Sequence, residues 1–130
     1  MSKPVLNIQQ DFVVLDADKQ ATPVEFNPQL FADLDTNFNG FKGCELIASF
    51  NFEADWPTWE MHPNGDEVVM LLSGEAELVL QLNGAEQSHT LRATGDYMLV
   101  PKGVWHTARI SQPTIMLFIT PGEGTQQKPV

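Results

Sequence analysis

From Cys44 onward, apolar residues come in short runs separated by turn residues, not at helical spacing. The runs at Cys44–Phe52, Thr58–Met61, Glu67–Leu72, Glu75–Leu82, Ser88–Arg92, Tyr97–Val100, His106–Ile110 and Thr114–Thr120 read as strands. Asn83-Gly84, between two such runs, is a hairpin signal, and Gly74, Gly95 and Gly103 punctuate others. No stripe at 3.6-residue spacing is long enough for a substantial helix. Short strands at near-regular spacing predict an all-β antiparallel sandwich or barrel.

The first third is less regular. Residues 1–11 read as a loose arm, Phe12–Leu15 as a short strand and residues 16–22 (DADKQAT) as a polar turn region. Val24–Leu30 follows Pro23 and contains Pro28, which suits an edge strand or an irregular extended segment. Asp35–Gly43 (DTNFNGFKG) opens like a calcium loop, but Leu46 stands where the bidentate glutamate belongs and no amphipathic helix flanks it. It reads as a plain loop. Residues 121–130 read as an extended exit segment, so that a single barrel domain spans 1–130 with an arm and a tail.

Both parities of Val68–Leu72 and Leu78–Leu82 carry large apolar side chains, Gln81 excepted. A sheet with one solvated face alternates more cleanly. The second face therefore needs a cover, from the N-terminal segments or a second subunit. Met70, Leu72, Leu78 and Leu80 are the residues expected at such a contact, and a homodimer is expected.

The 130 residues suit one domain, and 17 acids against 7 bases leave a formal charge of −10. That balance disfavours nucleic acid and anionic membrane as partners. No apolar run is long enough to span a membrane, and the first residues lack the apolar core of a secretion signal, so a cytoplasmic location is expected. Cys44, the 1 cysteine, permits no internal disulfide or thiolate cluster and reads as a small core residue.

Candidate chemistry gathers in two blocks. In the first, WPTWEMHPNGDEVVMLLSG (Trp56–Gly74), Glu60 and His62 are two apart on an extended segment and so point to one face. The turn Pro63-Asn64-Gly65 can return Glu67 beside them. In the second, GDYMLVPKGVWH (Gly95–His106), a glycine turn leads into an apolar strand, then a Pro-Lys-Gly turn, then His106.

Together the blocks resemble the cupin superfamily, whose first motif runs Gly, five residues, His-x-His, three or four residues, Glu, six residues, Gly. Here Glu60 stands at the first histidine place, and His62, Glu67 and Gly74 follow in register, while Ala54 replaces the opening glycine. The second motif runs Gly, five residues, Pro-x-Gly, two residues, His, three residues, Asn. Gly95, Pro101, Gly103 and His106 match it, with Ile110 at the asparagine place. The resemblance implies a double-stranded β-helix (jelly-roll) barrel. It also implies one divalent metal ion (zinc, iron, manganese or nickel) held by His62, Glu67, His106 and Glu60. A carboxylate at the first histidine place changes the ligand set without abolishing it.

Glu60 has three readings: ligand, acceptor for a histidine N–H, or catalytic acid–base if the ion takes only three protein ligands. Trp59 and Trp105 adjoin candidate ligands and are expected at the pocket mouth, with Phe50 and Met98 as wall candidates. His89 reads as an exposed strand residue, and Arg109 as facing outward.

Two functions follow. One is an enzyme acting on a small-molecule ligand at the metal, with isomerase, hydrolase-like and oxygenase chemistry all open. The other is a non-enzymatic metal-dependent sensor or ligand-binding protein, since the first block also looks like the cupin domain of zinc-binding anti-sigma regulators. A metal-free structural barrel is a third, plainer reading.

Overall fold

The computed structural model describes residues 4–130. Among the described residues, eleven strands form two antiparallel sheets. The strands are β1 Asp11–Leu15, β2 Ala21–Glu25, β3 Glu45–Phe52, β4 Thr58–Met61, β5 Glu67–Ser73, β6 Ala76–Leu82, β7 Ala85–Leu91, β8 Tyr97–Val100, β9 His106–Ile110, β10 Thr114–Thr120 and β11 Gln126–Pro129. One sheet is ordered β2-β1-β3-β10-β5-β8 and the other β11-β4-β9-β6-β7. This is the all-β, antiparallel architecture that the strand rhythm predicts, in the jelly-roll form that the cupin resemblance implies. Four strands, Thr58–Met61, Tyr97–Val100, His106–Ile110 and Thr114–Thr120, carry the expected bounds.

The core is the space between the sheets. Val69 and Leu71 of β5, Met116 and Phe118 of β10, Leu78 and Leu80 of β6 and Ala108 of β9 form one buried cluster with Trp56. Alternation along each strand puts these side chains inside together, while the other parity faces away from this cluster, where Val79 of β6 and Thr107 of β9 are nonetheless buried. A smaller cluster of Phe12, Val14, Leu30, Leu34, Phe41, Cys44, Leu46 and Ala48 extends the core under the N-terminal region. The hairpin at Asn83-Gly84 turns with positive φ at both residues (54° and 77°), which the twist of the paired strands favours.

Several expectations need correction. Residues 24–30 are neither an edge strand nor an extended segment throughout. The edge strand is β2, Ala21–Glu25, which takes the end of the supposed polar turn, and a helix α1 runs over Leu30–Asn37. The helix buries Leu30 and Leu34, four apart on one face, against the smaller cluster. Two apolar anchors in eight residues are too few to stand out as a periodic stripe, and such a short helix depends on tertiary packing. Asp35 and Asn37 end that helix and Asn39–Phe41 forms a 3-10 turn, so the calcium-like spelling sits on no calcium loop. Within the expected arm, residues 1–3 lie outside the described residues and Asp11 already belongs to β1. The expected exit segment contains β11, which pairs with β4.

Leu78 and Leu80 are buried in the core, not at a surface contact. Met70 and Leu72 do lie on the outer face of the six-stranded sheet. There Met70 pairs across to Tyr97 and Leu117, and Val68 to Leu99 and Ile119. Tyr97 and Leu99 are each 58% exposed. Among the described residues, no helix is long and apolar enough to cross a membrane.

Candidate metal centre

Three elements converge inside one end of the barrel. β4 carries Glu60 with His62 just past its end, β5 opens with Glu67, and β9 opens with His106. Glu60 and His62 share strand parity, and Glu60 lies directly opposite His106 in the β4–β9 register. The turn at residues 63–66 does not return Glu67 on a neighbouring strand, as expected; it carries the chain into the other sheet, and Glu67 meets the histidines from there. The second motif is tied to the first by the Gly103 N–H, which donates to the His62 carbonyl over 2.9 Å. Asp66 Oδ1 accepts from the Lys102 N–H at 2.8 Å and holds the same two turns together.

The side chains are nearly sealed: His62 is 4% exposed, Glu67 3% and His106 0%. Glu60, half-buried, is the member nearest solvent. Glu60, His62 and His106 offer ligand atoms that all lie within 4.8 Å of one another. Glu67 bridges the histidines, with Oε2 at 3.3 Å from His62 Nε2 and Oε1 at 3.0 Å from His106 Nε2. Its Oε2 also accepts the Thr120 hydroxyl at 2.6 Å.

Nδ1 of His106 faces the Val104 carbonyl at 3.3 Å, so that nitrogen carries the hydrogen and Nε2 points inward. Nδ1 of His62 faces Thr125 Oγ1 at 2.8 Å. His62 Nε2, Glu67 Oε1 and His106 Nε2 are then buried polar atoms without an aligned hydrogen-bond partner. Short separations between two imidazole lone pairs and a carboxylate are repulsive unless a cation sits among them, either a proton or a metal.

Titration follows from this arrangement. Burial pushes the Glu67 carboxyl up, but contact with His106 and His62 outweighs it and holds the group at about 2. Burial pulls His106 down, and the Glu67 carboxylate reverses that, so the imidazole sits above its ordinary value. Glu60 is raised, first by burial and then by the Glu67 charge, with only partial relief from His106 and His62.

Two imidazoles and two carboxylates fit a borderline divalent ion such as zinc, iron, manganese or nickel, and their charges would balance it. The orphaned inward atoms are where such an ion would be held.

The expected pocket residues are more scattered. Trp59 alternates with Glu60 along β4 and so lies on its other face, buried, with Lys128 as its β11 register partner. Trp105 precedes the inward His106 and lines an outer depression with Gln81, Glu86 and Gly103; Lys128 Nζ sits 4.4 Å from its ring centre. Phe50 belongs to the interior aromatic group, 5.9 Å from Phe118, and Met98 packs against the main core. The aromatic ring against the site is Trp56, 6.1 Å from His106 between ring centres, and its buried Nε1–H has no partner. His89 and Arg109 are exposed as expected, and Arg109 pairs with Glu77 and Glu86.

Thr120 and Thr125 were not legible as site residues, because a threonine late in a chain carries no spacing signal. Trp56 stood in the sequence only as the first residue of the Trp56–Gly74 block.

Comparison with known proteins agrees with this architecture. The family described as "Cupin domain" matches residues 50–120. Among solved structures, an oxalate oxidase is similar over 62% of this chain and 44% of its own, at 19% identity and a TM-score of 0.53. A cupin-2 domain containing protein from Shewanella frigidimarina is similar over 59% of this chain and 70% of its own, at 23% identity and a TM-score of 0.51. Hydroquinone 1,2-dioxygenase from Sphingomonas sp., with 4-hydroxybenzoate bound, is similar over 58% of each chain, at 21% identity and a TM-score of 0.50. The chain thus spans less than half the length of the oxalate oxidase. No curated protein matches the chain in sequence.

Proposed function

The chain belongs to the Cupin domain family, and from that premise we propose that it binds one divalent metal ion through His62, Glu67, His106 and Glu60 and acts there on a small organic molecule. The observation that carries the reading is the trio of buried, inward atoms without aligned partners: His62 Nε2, Glu67 Oε1 and His106 Nε2. A structure that keeps three such atoms face to face needs a cation to make the arrangement favourable.

When bound, the ion supplies a Lewis acid that polarises a substrate oxygen or activates water. The protein's own residues do the rest. His62, Glu67 and His106 exclude water by their burial. With the ion held by His62, Glu67 and His106 alone, Glu60, half-buried and with a raised carboxyl, serves instead as the proton carrier at the solvent side. The Trp56 Nε1–H, buried beside His106, is a donor for a ligand oxygen. Isomerase, hydrolase-like and oxygenase reactions all use such parts, and the fold does not select among them.

Burial of three of the four candidate ligands supports a second reading, a metal-dependent sensor or ligand-binding protein. An enzyme needs a coordination position that a small ligand can reach. A homodimer belongs to either reading: on a chain of charge −10, the row Val68, Met70, Leu117, Ile119, Tyr97 and Leu99 is an uncharged outer face that a second copy can cover.

Elemental mass spectrometry on untagged protein tests the metal. About one ion per chain is expected, lost in His62→Ala, with Glu60→Ala deciding whether Glu60 is needed to retain it. A wild type with no ion after reconstitution would defeat the reading. Cobalt substitution then separates enzyme from sensor: a visible spectrum that shifts with acetate indicates a reachable position, and an unresponsive one indicates a closed site.

A further inference from the structure

The turn Pro121–Thr125 follows the last core strand, β10, and reaches back to the metal centre. Its placement is tight. A Cβ at Gly65 would lie 2.8 Å from Pro121 Cβ and Cγ, so only glycine lets the two turns approach this closely. The Asn64 side-chain amide donates to the Glu123 carbonyl at 2.9 Å. Directly after the turn, β11 pairs with β4, setting Gln126 opposite Met61 and Gln127 opposite Glu60. The segment is therefore docked on both sides of His62.

Within this turn the Thr125 hydroxyl donates to the Gly122 carbonyl at 2.9 Å. A hydroxyl has a single hydrogen; given to the Gly122 carbonyl, which also receives the Thr125 N–H, it leaves Oγ1 as an acceptor 2.8 Å from His62 Nδ1. In that arrangement His62 carries its hydrogen on Nδ1, and the Nε2 lone pair faces Glu67 and His106. The backbone carbonyl of Val104 does the same for His106 from within its own turn. For His62 the acceptor comes from 63 residues away in sequence.

We infer that Thr125 is a positioning residue: it selects the Nδ1-protonated tautomer of His62 and orients the ring, so that the C-terminal turn acts as a latch on the metal centre. The effect on metal affinity rests on the reading of His62 as a ligand; the tautomer itself does not. Groups that orient a ligating imidazole typically contribute about 10–100-fold in metal affinity.

Two-bond proton–nitrogen NMR on the metal-free full chain, well above neutral pH, reads the His62 tautomer directly. The expected result is an Nδ1-protonated pattern in the wild type, a mixed or Nε2-protonated pattern in Thr125→Val, and return to the wild-type pattern in Thr125→Ser. Zinc competition against a chromophoric chelator is expected to show about 10–100-fold weaker binding in T125V and near wild-type binding in T125S. An unchanged His62 pattern in T125V would overturn the inference, as would a change that T125S shares in full. T125A, which removes the hydroxyl and leaves no new methyl, takes the place of T125V if that variant does not fold. A wild type that binds no zinc would defeat the metal reading alone, and the imidazole spectra would still decide the role of Thr125.

Discussion

Oε1 of Glu67 lies 3.0 Å from Nε2 of His106, inside the barrel and out of contact with water. Each group moves the other's titration, Glu67 downward and His106 upward, because each favours the charged form of the other.

The pair sets a stability profile for the metal-free protein. Glu67 falls from an ordinary 4.5 to about 2 on folding, so its contribution is complete above 4.5 and is lost as the pH drops toward 2. His106 is raised above its ordinary 6.5, so its contribution is complete below 6.5 and is lost as the pH climbs through the raised value. Glu60, raised above 4.5, also lowers stability as the pH rises past that point. Thermal unfolding of the metal-free protein should therefore show a maximum at mildly acidic pH. A divalent ion should raise Tm at neutral and alkaline pH and have little effect in acid, where protons compete for the same atoms. A profile that rises steadily from acid to alkaline pH without metal would contradict this.

Glu67→Gln removes the charge and leaves two buried imidazoles without it. Breaking a buried pair from one side typically costs about 3–5 kcal/mol, so urea unfolding of the metal-free variant should show a loss in that range. Metal retention should fall with it. A variant as stable as the wild type would mean that the histidines do not depend on this carboxylate.

Thr120→Val deletes the hydroxyl that donates to Glu67 Oε2 at 2.6 Å. A lost hydrogen bond to a charged group is worth about 1.5–3 kcal/mol, and Thr120→Ser should recover most of it. Paired urea titrations of the two variants check the expectation. Equal losses in both would assign the role to the methyl group.

Trp56→Phe removes the buried Nε1–H that has no partner. Removing an unsatisfied donor should leave stability within about 1 kcal/mol of wild type. If that N–H meets a ligand oxygen, the variant should bind small carboxylates more weakly in the cobalt-substituted protein, as read from the spectral shift. Unchanged binding would exclude Trp56 as a ligand contact.

Met70→Glu places a charge on the outer sheet face, between Tyr97 and Leu117. With a second copy on that face, light scattering should show the molar mass of the wild type halve in the variant while the melting profile is retained. A wild type already monomeric would leave the face uncovered.

Much of the fold was written in local pattern. The cupin motif spacing implied the meeting of Glu60 and His62 with Glu67 and His106, which joins strand ends from both sheets. The strands between Cys44 and Thr120, the hairpin at Asn83-Gly84 and the shared face of Glu60 and His62 follow from alternation and turn chemistry, which depend on neighbours in sequence. The outward direction of Arg109 follows in the same way, by parity from His106. Helix α1 did not show, because its two anchors, Leu30 and Leu34, gain their meaning only from the cluster they pack against. Nor did the separation of Leu78 and Leu80 from Met70 and Leu72: both runs are apolar on both parities, and only sheet packing decides which parity is inside.

The same limit governs the site. Sequence alone determined which side chains carry ligand chemistry, because that is a property of residue type, and strand period set Glu60 and His62 on one face. Only the tertiary structure decided what holds them: Thr120 under Glu67, Trp56 against His106, and Thr125 behind His62. Those partners come from distant strands or turns, where hydroxyl and indole groups carry no local signal. Their roles arise when β10, β9 and the C-terminal turn are brought within hydrogen-bond or van der Waals reach, and such distances are set by the packed barrel as a whole.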